Sequence, residues 1–335
     1  MDMSDLPVDP KEPMFMFFPE TIMLQGLKEP VPIGTDALLQ RVPSAHMKNM
    51  NILLKPYILA NSRAAGAPEG INPWETYSEP RADGNSNIKK RNPDNYQYWM
   101  ISYWRKYQDR ELEQAIELAD PSITPVMVLN RPHETAGGWT RRCAILSWLE
   151  VSLTLEPTVI AAKDIKNIEQ ARNSLLIFSH NDDTRFDFIR RNLDVFLDLK
   201  EISKLRALYV VGIFSILEGL LTTQKGTVGK KSITRQLQDK LAAVHERLAE
   251  PLNLQSYFEN RSTPEFKEII KILYNYRSDI AHGNISDLAK NIGISGSHDS
   301  IRVHRMVCDF LHALTRRLIL HAIQYPEEMR SLKAS

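Results

Sequence analysis

The pattern of apolar and polar residues changes about halfway along the chain. After Pro157 the apolar positions recur at helical spacing, and a helix is predicted over 163–179. Asp183 or Thr184 is predicted to cap the next helix. From that point the pattern predicts little except helix, over 185–199, 202–223, 232–248, 263–282 and 299–324.

The first half has a mixed pattern. Short apolar runs predict strands over 14–18 and 126–129. The segment 61–95 is rich in Gly, Pro, Asn and Ser and is predicted to be a long irregular loop. A helix is predicted from just after Pro93 to about Leu118. The sequence therefore predicts an α+β protein, with a mixed N-terminal domain over 1–183 that senses, docks or regulates, and an all-α domain over 184–335.

Composition is that of a soluble globular protein, with 43% hydrophobic and 25% charged residues. Lys and Arg total 42 and Asp and Glu total 41, which gives a net charge of +1. The overall charge does not indicate nucleic-acid binding, so any such activity requires a local basic patch.

The two cysteines, Cys143 and Cys308, lie in apolar surroundings and favour neither a disulfide framework nor a zinc site. A reducing, cytoplasmic location is expected. The acidic N-terminus lacks the basic region of a signal peptide. The most apolar stretch, 207–221, is too short to span a bilayer and contains Glu218, so no membrane association is expected.

One short segment contains residues that are suited to catalysis. The predicted helix over 263–282 ends in Arg277-Ser-Asp-Ile-Ala-His282, followed by Gly283-Asn284. Five residues correspond to about 500° of ideal helix, so Arg277 and His282 are predicted to lie about 140° apart. The two side chains can converge only if the helix ends or distorts. Gly283 is a natural helix stop, which predicts that His282 lies in the last turn.

Arg, four residues, then His-Gly is a pattern that resembles the HEPN superfamily, and the preceding Leu-Tyr-Asn-Tyr extends the resemblance to its abortive-infection (Apea-like) branch. Glu218 stands in an apolar helix where that branch often has an acid, and Ser278 stands where Asn, Asp or His is often found. The resemblance covers roughly the last 150 residues. It implies a helical HEPN bundle that forms a homodimer, with each subunit bringing its own copy of the motif.

The resemblance also implies a metal-independent endoribonuclease that needs no cofactor, in which Arg277 binds the phosphate of an RNA substrate and His282 is the acid or base. Ser278, Asp279 and Glu218 would support the site. Such proteins include bacterial antiphage-defence and toxin-like effectors, and a further protein partner is possible. The alternative is a catalytically inactive HEPN module that dimerises or binds a partner protein or nucleic acid.

Each of these residues also has a plainer interpretation. Arg277 and His282 can be basic residues that stabilise a helix end. Glu218 either orients Arg277 or is an acid on a partly exposed helix.

Basic residues at Lys89, Lys90, Arg91 and Arg105 alternate with aromatic residues that include Trp99 and Tyr103, which suits single-stranded RNA. The aromatic residues can equally face a core.

His304, Cys308 and His312 lie on one predicted helix, where a metal site is conceivable. Their spacing spreads them too far apart to complete a tetrahedral site, which favours packing.

Overall fold

The computed structural model describes the following residues of the chain: 14–18, 22–42, 76–80, 86–90, 99–103, 110–121, 123, 127–129, 138–140, 158–199, 202, 204, 206–223, 232–258, 265–284, 288–292 and 300–335. The chain divides into two compact units, Met1–Leu175 and Leu176–Ser335. The division falls several residues before the boundary expected at 183/184. The α+β composition predicted from the sequence is confirmed, with the described strands in the first unit and a helical second unit.

The described strands of the first unit are β1 Met14–Phe18, β2 Ile22–Gln25, β3 Val31–Ile33, β4 Ala37–Arg41, β5 Thr76–Pro80, β6 Ser86–Lys90, β7 Trp99–Tyr103, β8 Met127–Leu129, β9 Gly138–Thr140 and β10 Thr158–Ala161. Six of them form an antiparallel sheet in the order β3-β4-β7-β1-β8-β9. Strand β2 pairs in parallel with β10, and β5 and β6 form a separate antiparallel hairpin. The unit also holds helix α1, Arg110–Leu118, and most of α2, Ala162–Ser179.

Strands β1 and β8 confirm the predictions over 14–18 and 126–129, but two other predictions were wrong. Residues 99–103, expected to be helical, form the sheet strand β7 between β4 and β1. All five side chains of β7 are buried, and an apolar run covered on both faces has no alternation to separate it from a buried helix. The predicted loop 61–95 contains the hairpin β5–β6, whose polar strands lack an apolar period.

Helix α2 holds the turn between β3 and β4. The Arg172 guanidinium donates two hydrogen bonds to the Asp36 carboxylate, with N–O distances of 2.6 and 2.8 Å. One turn earlier, the Glu169 carboxylate accepts a hydrogen bond of 2.6 Å from the backbone N–H of Gly34. Gly34 has φ +63°, a left-handed conformation that favours glycine. This two-pronged pair is the geometry of a structural arginine.

The second unit consists of helices. Asp183 caps a 3-10 turn over Thr184–Phe186, and the helix that follows it has no side-chain cap of its own, so the predicted cap belongs to the turn instead of the helix. The described helices are α3 Asp187–Asp198, α4 Ala207–Leu221, α5 Ile233–His245, α6 Leu254–Tyr257, α7 Phe266–His282, α8 Leu288–Ile292, α9 Ser300–Gln324 and α10 Pro326–Ala334. The five longer predicted helices are confirmed with shorter ends. The short helices α6 and α8 and the separate C-terminal helix α10 were not predicted. Within the described part of the chain, no helix combines the length and the apolar character that a membrane crossing needs.

Helix α4 lies at the centre of this unit and packs against α3, α5, α7, α9 and α10. Its fully buried side chains are Val210, Ile213, Phe214, Ile216, Leu217, Leu220 and Leu221. A Cβ atom at Gly212 would overlap with the Leu199 side chain, so the glycine permits a close approach of α3. Burial of this apolar surface is the main force that orders the unit.

Lys333 joins α10 to the end of α4. Its ammonium donates a hydrogen bond to the Gly219 carbonyl oxygen and lies 5.1 Å from the centre of the Phe188 ring. The Lys240 ammonium in turn donates to the backbone carbonyl of Lys333, at 3.0 Å. Burial lowers the pKa of Lys333 to about 8, and the positive charge of Lys240 acts in the same direction.

This lowered pKa predicts a pH-dependent stability. Because the pKa of Lys333 in the folded chain is below that of an unfolded lysine, the folded state loses its proton first as the pH rises. The cost of the buried charge is fully present below about pH 8 and disappears between about pH 8 and the unfolded value of about 10.5. We expect the free energy of unfolding of the wild type, relative to Lys333→Met, to rise over that interval.

Chemical denaturation of the full chain at about pH 7 and about pH 10 measures this difference. Lys271→Met removes an exposed lysine from α7 and serves as the matched control. If the difference in the free energy of unfolding between wild type and Lys333→Met is the same at both pH values, the pKa of Lys333 is not lowered by the fold.

Candidate functional site

Helix α7 ends immediately after His282, as predicted. Gly283 has φ 70° and ψ 20°, the left-handed conformation. The N–H of Asn284 bonds to the Asp279 carbonyl at 2.8 Å, and that of Gly283 bonds to the Ile280 carbonyl at 3.2 Å. This pair of bonds is the Schellman motif, which closes the last turn and stops the helix. His282 therefore lies at a fixed helix end, with its side chain exposed.

Arg277 points toward α4. Its Nη2 atom lies 3.5 Å from Oε1 of Glu218, and the two side chains are 24% and 22% exposed. The guanidinium carbon also lies 5.7 Å from the centre of the Tyr274 ring, one turn earlier. Neither Nε of Arg277 nor Oε1 of Glu218 has a hydrogen-bond partner among the described residues. The pair is thus a loose ion contact, longer than the charge-assisted hydrogen bonds of about 2.7–2.9 Å.

Tyr274 completes this cluster. Its ring packs edge-on against Phe214 of α4, with ring centres 5.5 Å apart. Burial raises the pKa of the Tyr274 phenol, and the neighbouring negative charge of Glu218 raises it further. The phenol therefore stays protonated at neutral pH and can serve only as a hydrogen-bonding and packing group.

Arg277 and His282 do not converge within one chain. Helix α7 continues without a break from Phe266 to His282. Because the two residues are five positions apart, an unbroken helix keeps their side chains about 140° apart around its axis. Arg277 faces α4, whereas His282 lies on the side of α7 that carries Ser278 and Asp279, which precede it by four and three residues. Ser278 and Asp279 are partly buried there.

The other predicted RNA contacts fall in the first unit. Lys89 lies exposed on β6, opposite Tyr77, and the backbone of Lys90 pairs with Thr76. Arg91 and Arg105 lie outside the described residues. The aromatic residues Trp99 and Tyr103 belong to the sheet core, so they are unavailable to stack on bases.

Of the three metal-ligand candidates on α9, the two histidines contact tyrosines and the cysteine contacts one of the histidines. The His304 ring lies 3.1 Å from the Tyr276 hydroxyl and 3.4 Å from the buried Cys308 sulfur. His312 lies 2.6 Å from the Tyr209 hydroxyl and stacks on Phe196. Burial lowers the pKa of His304 and raises the pKa of Cys308 to about 12.

These contacts describe packing rather than metal coordination. In the described part of the chain no group of three His, Cys, Asp or Glu side chains could hold a metal ion. Cys143 lies outside it.

Two residues beside the motif were not predicted as part of a site. Asn275 shares the face of His282, seven residues earlier, and could have been found from helical spacing. Asn291 belongs to α8, a five-residue helix with no periodic signal. Both line a pocket with Ser278 and Asp279.

The chain matches no protein-family model, no curated protein and no solved structure.

The left-handed end of α7 generates a prediction. A Cβ atom at position 283 would meet no neighbour within 4 Å, so substitution strains only the backbone. Gly283→Ala is expected to destabilise the helix end by about 1–2 kcal/mol. Gly283→Asn is the matched control, because asparagine tolerates the left-handed conformation.

Hydrogen exchange of the α7 amides in the full chain measures this effect. Faster exchange in the last turns of α7 is expected for Gly283→Ala and much less for Gly283→Asn. Equal exchange in the two variants would mean that the φ of residue 283 does not control the end of the helix.

Proposed function

We propose that the chain is a metal-independent endoribonuclease of the HEPN type that acts as a homodimer. The observation that carries the proposal is the state of Arg277 and His282, the two groups that such a reaction needs. Both lie in the last turns of α7, and neither side chain makes a close hydrogen bond among the described residues. The antiphage-defence or toxin-like role that the resemblance implies belongs to the same proposal.

The reaction needs no external reagent. The 2′-oxygen of a ribose attacks the adjacent phosphorus and loses its proton, and the bond from phosphorus to the 5′-oxygen breaks. That oxygen takes up a proton, which leaves a 2′,3′-cyclic phosphate and a 5′-hydroxyl. His282 would transfer one of these protons. Arg277 would bind the phosphate oxygens as negative charge builds up.

A comparison of two arginines in this chain supports the role of Arg277. Arg172 donates hydrogen bonds of 2.6 and 2.8 Å to both oxygens of Asp36, as a structural arginine does. Arg277 has the 3.5 Å ion contact with Glu218 through Nη2 and the contact with the Tyr274 ring, and its Nε atom is shielded from solvent. The Nη atoms make no close hydrogen bond among the described residues, and they are the donors that we expect to bind a phosphate.

The separation of Arg277 and His282 on α7 supports a two-chain site. One phosphate cannot reach both residues of one helix from opposite faces, whereas a twofold axis can bring Arg277 of one copy toward His282 of the other. A stripe on α4 beside Arg277 offers a contact surface: Leu208, Val211, Ser215 and Glu218 recur at helical spacing. Leu208, at the beginning of this stripe, is 65% exposed and can pack against a second copy.

Cleavage in EDTA tests the activity. The purified full chain is incubated with labelled single-stranded RNA in excess EDTA, and the product ends are analysed. We expect cyclic-phosphate ends, with the cleavage rate falling by about 10²–10⁴-fold in His282→Ala, because a general acid or base is lost. Arg277→Ala is expected to lose about 10²–10³-fold, and Arg277→Lys to retain part of the rate.

The control is His180→Ala, which removes another exposed histidine from the second unit and is expected to leave cleavage unchanged. Cleavage that survives both His282→Ala and Arg277→Ala would reject the site. No cleavage by a correctly folded dimer would reject the enzyme and favour the second function.

That second function is a catalytically inactive module for dimerisation and partner binding. One observation favours it: Glu218 lies 3.5 Å from Arg277 and offsets the positive charge that would attract a phosphate. In this case Arg277 and Glu218 would organise an interface instead of a reaction.

Sedimentation of the full chain tests the dimer that both functions share. We expect a dimer for the wild type and a monomer for Leu208→Glu, because a charge in place of the exposed apolar side chain of the stripe opposes association. Ile177→Glu places the same charge at another exposed apolar residue and is expected to remain dimeric. A monomeric wild type at high micromolar concentration would contradict the two-chain site.

A further inference from the structure

A shallow, open pocket of about 440 Å³ lies between α7 and α8. Its lining residues are Ile272, Asn275, Ser278, Asp279 and Asn291. Its volume falls within the range of about 300–1,000 Å³ that is typical of small-molecule sites. Two amides, a hydroxyl and a carboxylate therefore surround one apolar side chain.

The pocket adjoins His282 and lies away from Arg277. On an ideal helix Ser278 is about 40° from His282 around the axis, and Asn275 is about 20° from it. Residues three or four positions apart on a helix have Cβ atoms about 5–6 Å apart. A ligand held by Ser278 and Asp279 would therefore reach the His282 imidazole, which is exposed.

The polar groups of α7 in this pocket are not used by the fold. Within the described residues, the side chains of Asn275, Ser278 and Asp279 form no hydrogen bond and no ion pair. The negative charge of the Asp279 carboxylate also destabilises α7 slightly, because the last turn of a helix carries the negative end of the helix dipole. The carbonyl of Asp279, not its carboxylate, takes part in the helix end. The Asp279 carboxylate is therefore left for a ligand of the pocket that it lines.

The chemistry of the pocket selects a class of ligand. A carboxylate repels a phosphate, so the pocket does not suit the RNA backbone. It suits a flat, uncharged ring with N–H donors on its edge, which can pack against Ile272 while its donors meet Asp279. Nucleobases in single-stranded RNA present such edges. Resting on the proposed function, we propose that this pocket binds one base of the RNA next to the scissile phosphate, with guanine preferred.

The preference for guanine follows from the acceptor-only character of Asp279. Guanine presents two adjacent donors, N1–H and the N2 amino group, which match the two oxygens of one carboxylate. Adenine and cytosine offer one amino group beside an acceptor nitrogen. Uracil offers one N–H between two carbonyl oxygens, which the carboxylate repels, so it is expected to bind least.

Binding is tested separately from cleavage. The probes are fluorescent oligonucleotides of about six nucleotides, fully 2′-O-methylated so that no 2′-hydroxyl can attack, and identical except for one central guanine or uracil. Fluorescence anisotropy with the full chain is expected to give about tenfold tighter binding of the guanine probe, the size of one good two-pronged base contact.

Asp279→Asn is the decisive variant, because the amide keeps the shape but presents a donor as well as an acceptor. We expect the guanine preference to fall to about twofold or less. Asp198→Asn removes the same charge from an exposed position on α3. This control is expected to bind both probes somewhat more tightly and to keep the preference, which separates base recognition from general attraction to a polyanion.

The outcomes separate this inference from the proposed function. Equal binding of the two probes by the wild type, no binding of either, or a preference unchanged in Asp279→Asn would overturn the base pocket, even if cleavage depends on His282. A guanine preference that is lost in Asp279→Asn supports the pocket, even if no RNA is cleaved under any condition. In cleavable RNA the expected cuts lie next to guanines, and Asp279→Asn is expected to spread them over other bases.

Discussion

Burial of α4 is the constraint on which the second unit depends. Seven of its side chains are completely shielded from solvent, and five other helices pack around it. An acid in such a helix can persist only at the edge of the core, next to a positive charge. Glu218 occupies that edge, and Arg277 of α7 lies against it. The position of the motif arginine is therefore a consequence of how an apolar helix accommodates one carboxylate.

Much of the helical unit could be predicted from its sequence, because long amphipathic helices repeat their period many times. The end of α7 was equally predictable, since few residues other than glycine adopt the conformation of Gly283. Strand β7 was not, because a strand buried on both faces shows no alternation. Helix α8 was not predicted because five residues are too few to show a helical period. For the same reason the sequence did not reveal that Asn291, on α8, lines the pocket.

Helical spacing predicted that Arg277 and His282 lie about 140° apart, and the continuous helix α7 keeps them on separate faces. Spacing along the sequence fixes an angle around the helix axis, but it does not fix what each face meets. Arg277 meets α4 and is partly covered, whereas His282 shares its face with Asn275, Ser278 and Asp279. Neighbouring helices, which no short motif encodes, determine this division. The same sequence could have given a one-chain site only with a break between residues 277 and 282.

The contact between Lys333 and the end of α4 joins two helices that are far apart in the sequence. Gly219, whose carbonyl oxygen accepts the Lys333 hydrogen bond, directly follows Glu218. The last turn of α4 therefore has a cation on each side, with Lys333 at its backbone and Arg277 at its carboxylate. A movement of α10 would withdraw positive charge from that turn and leave Glu218 to draw Arg277 closer. The C-terminal helix is thus an electrostatic neighbour of the motif, although more than fifty residues of chain separate Lys333 from Arg277.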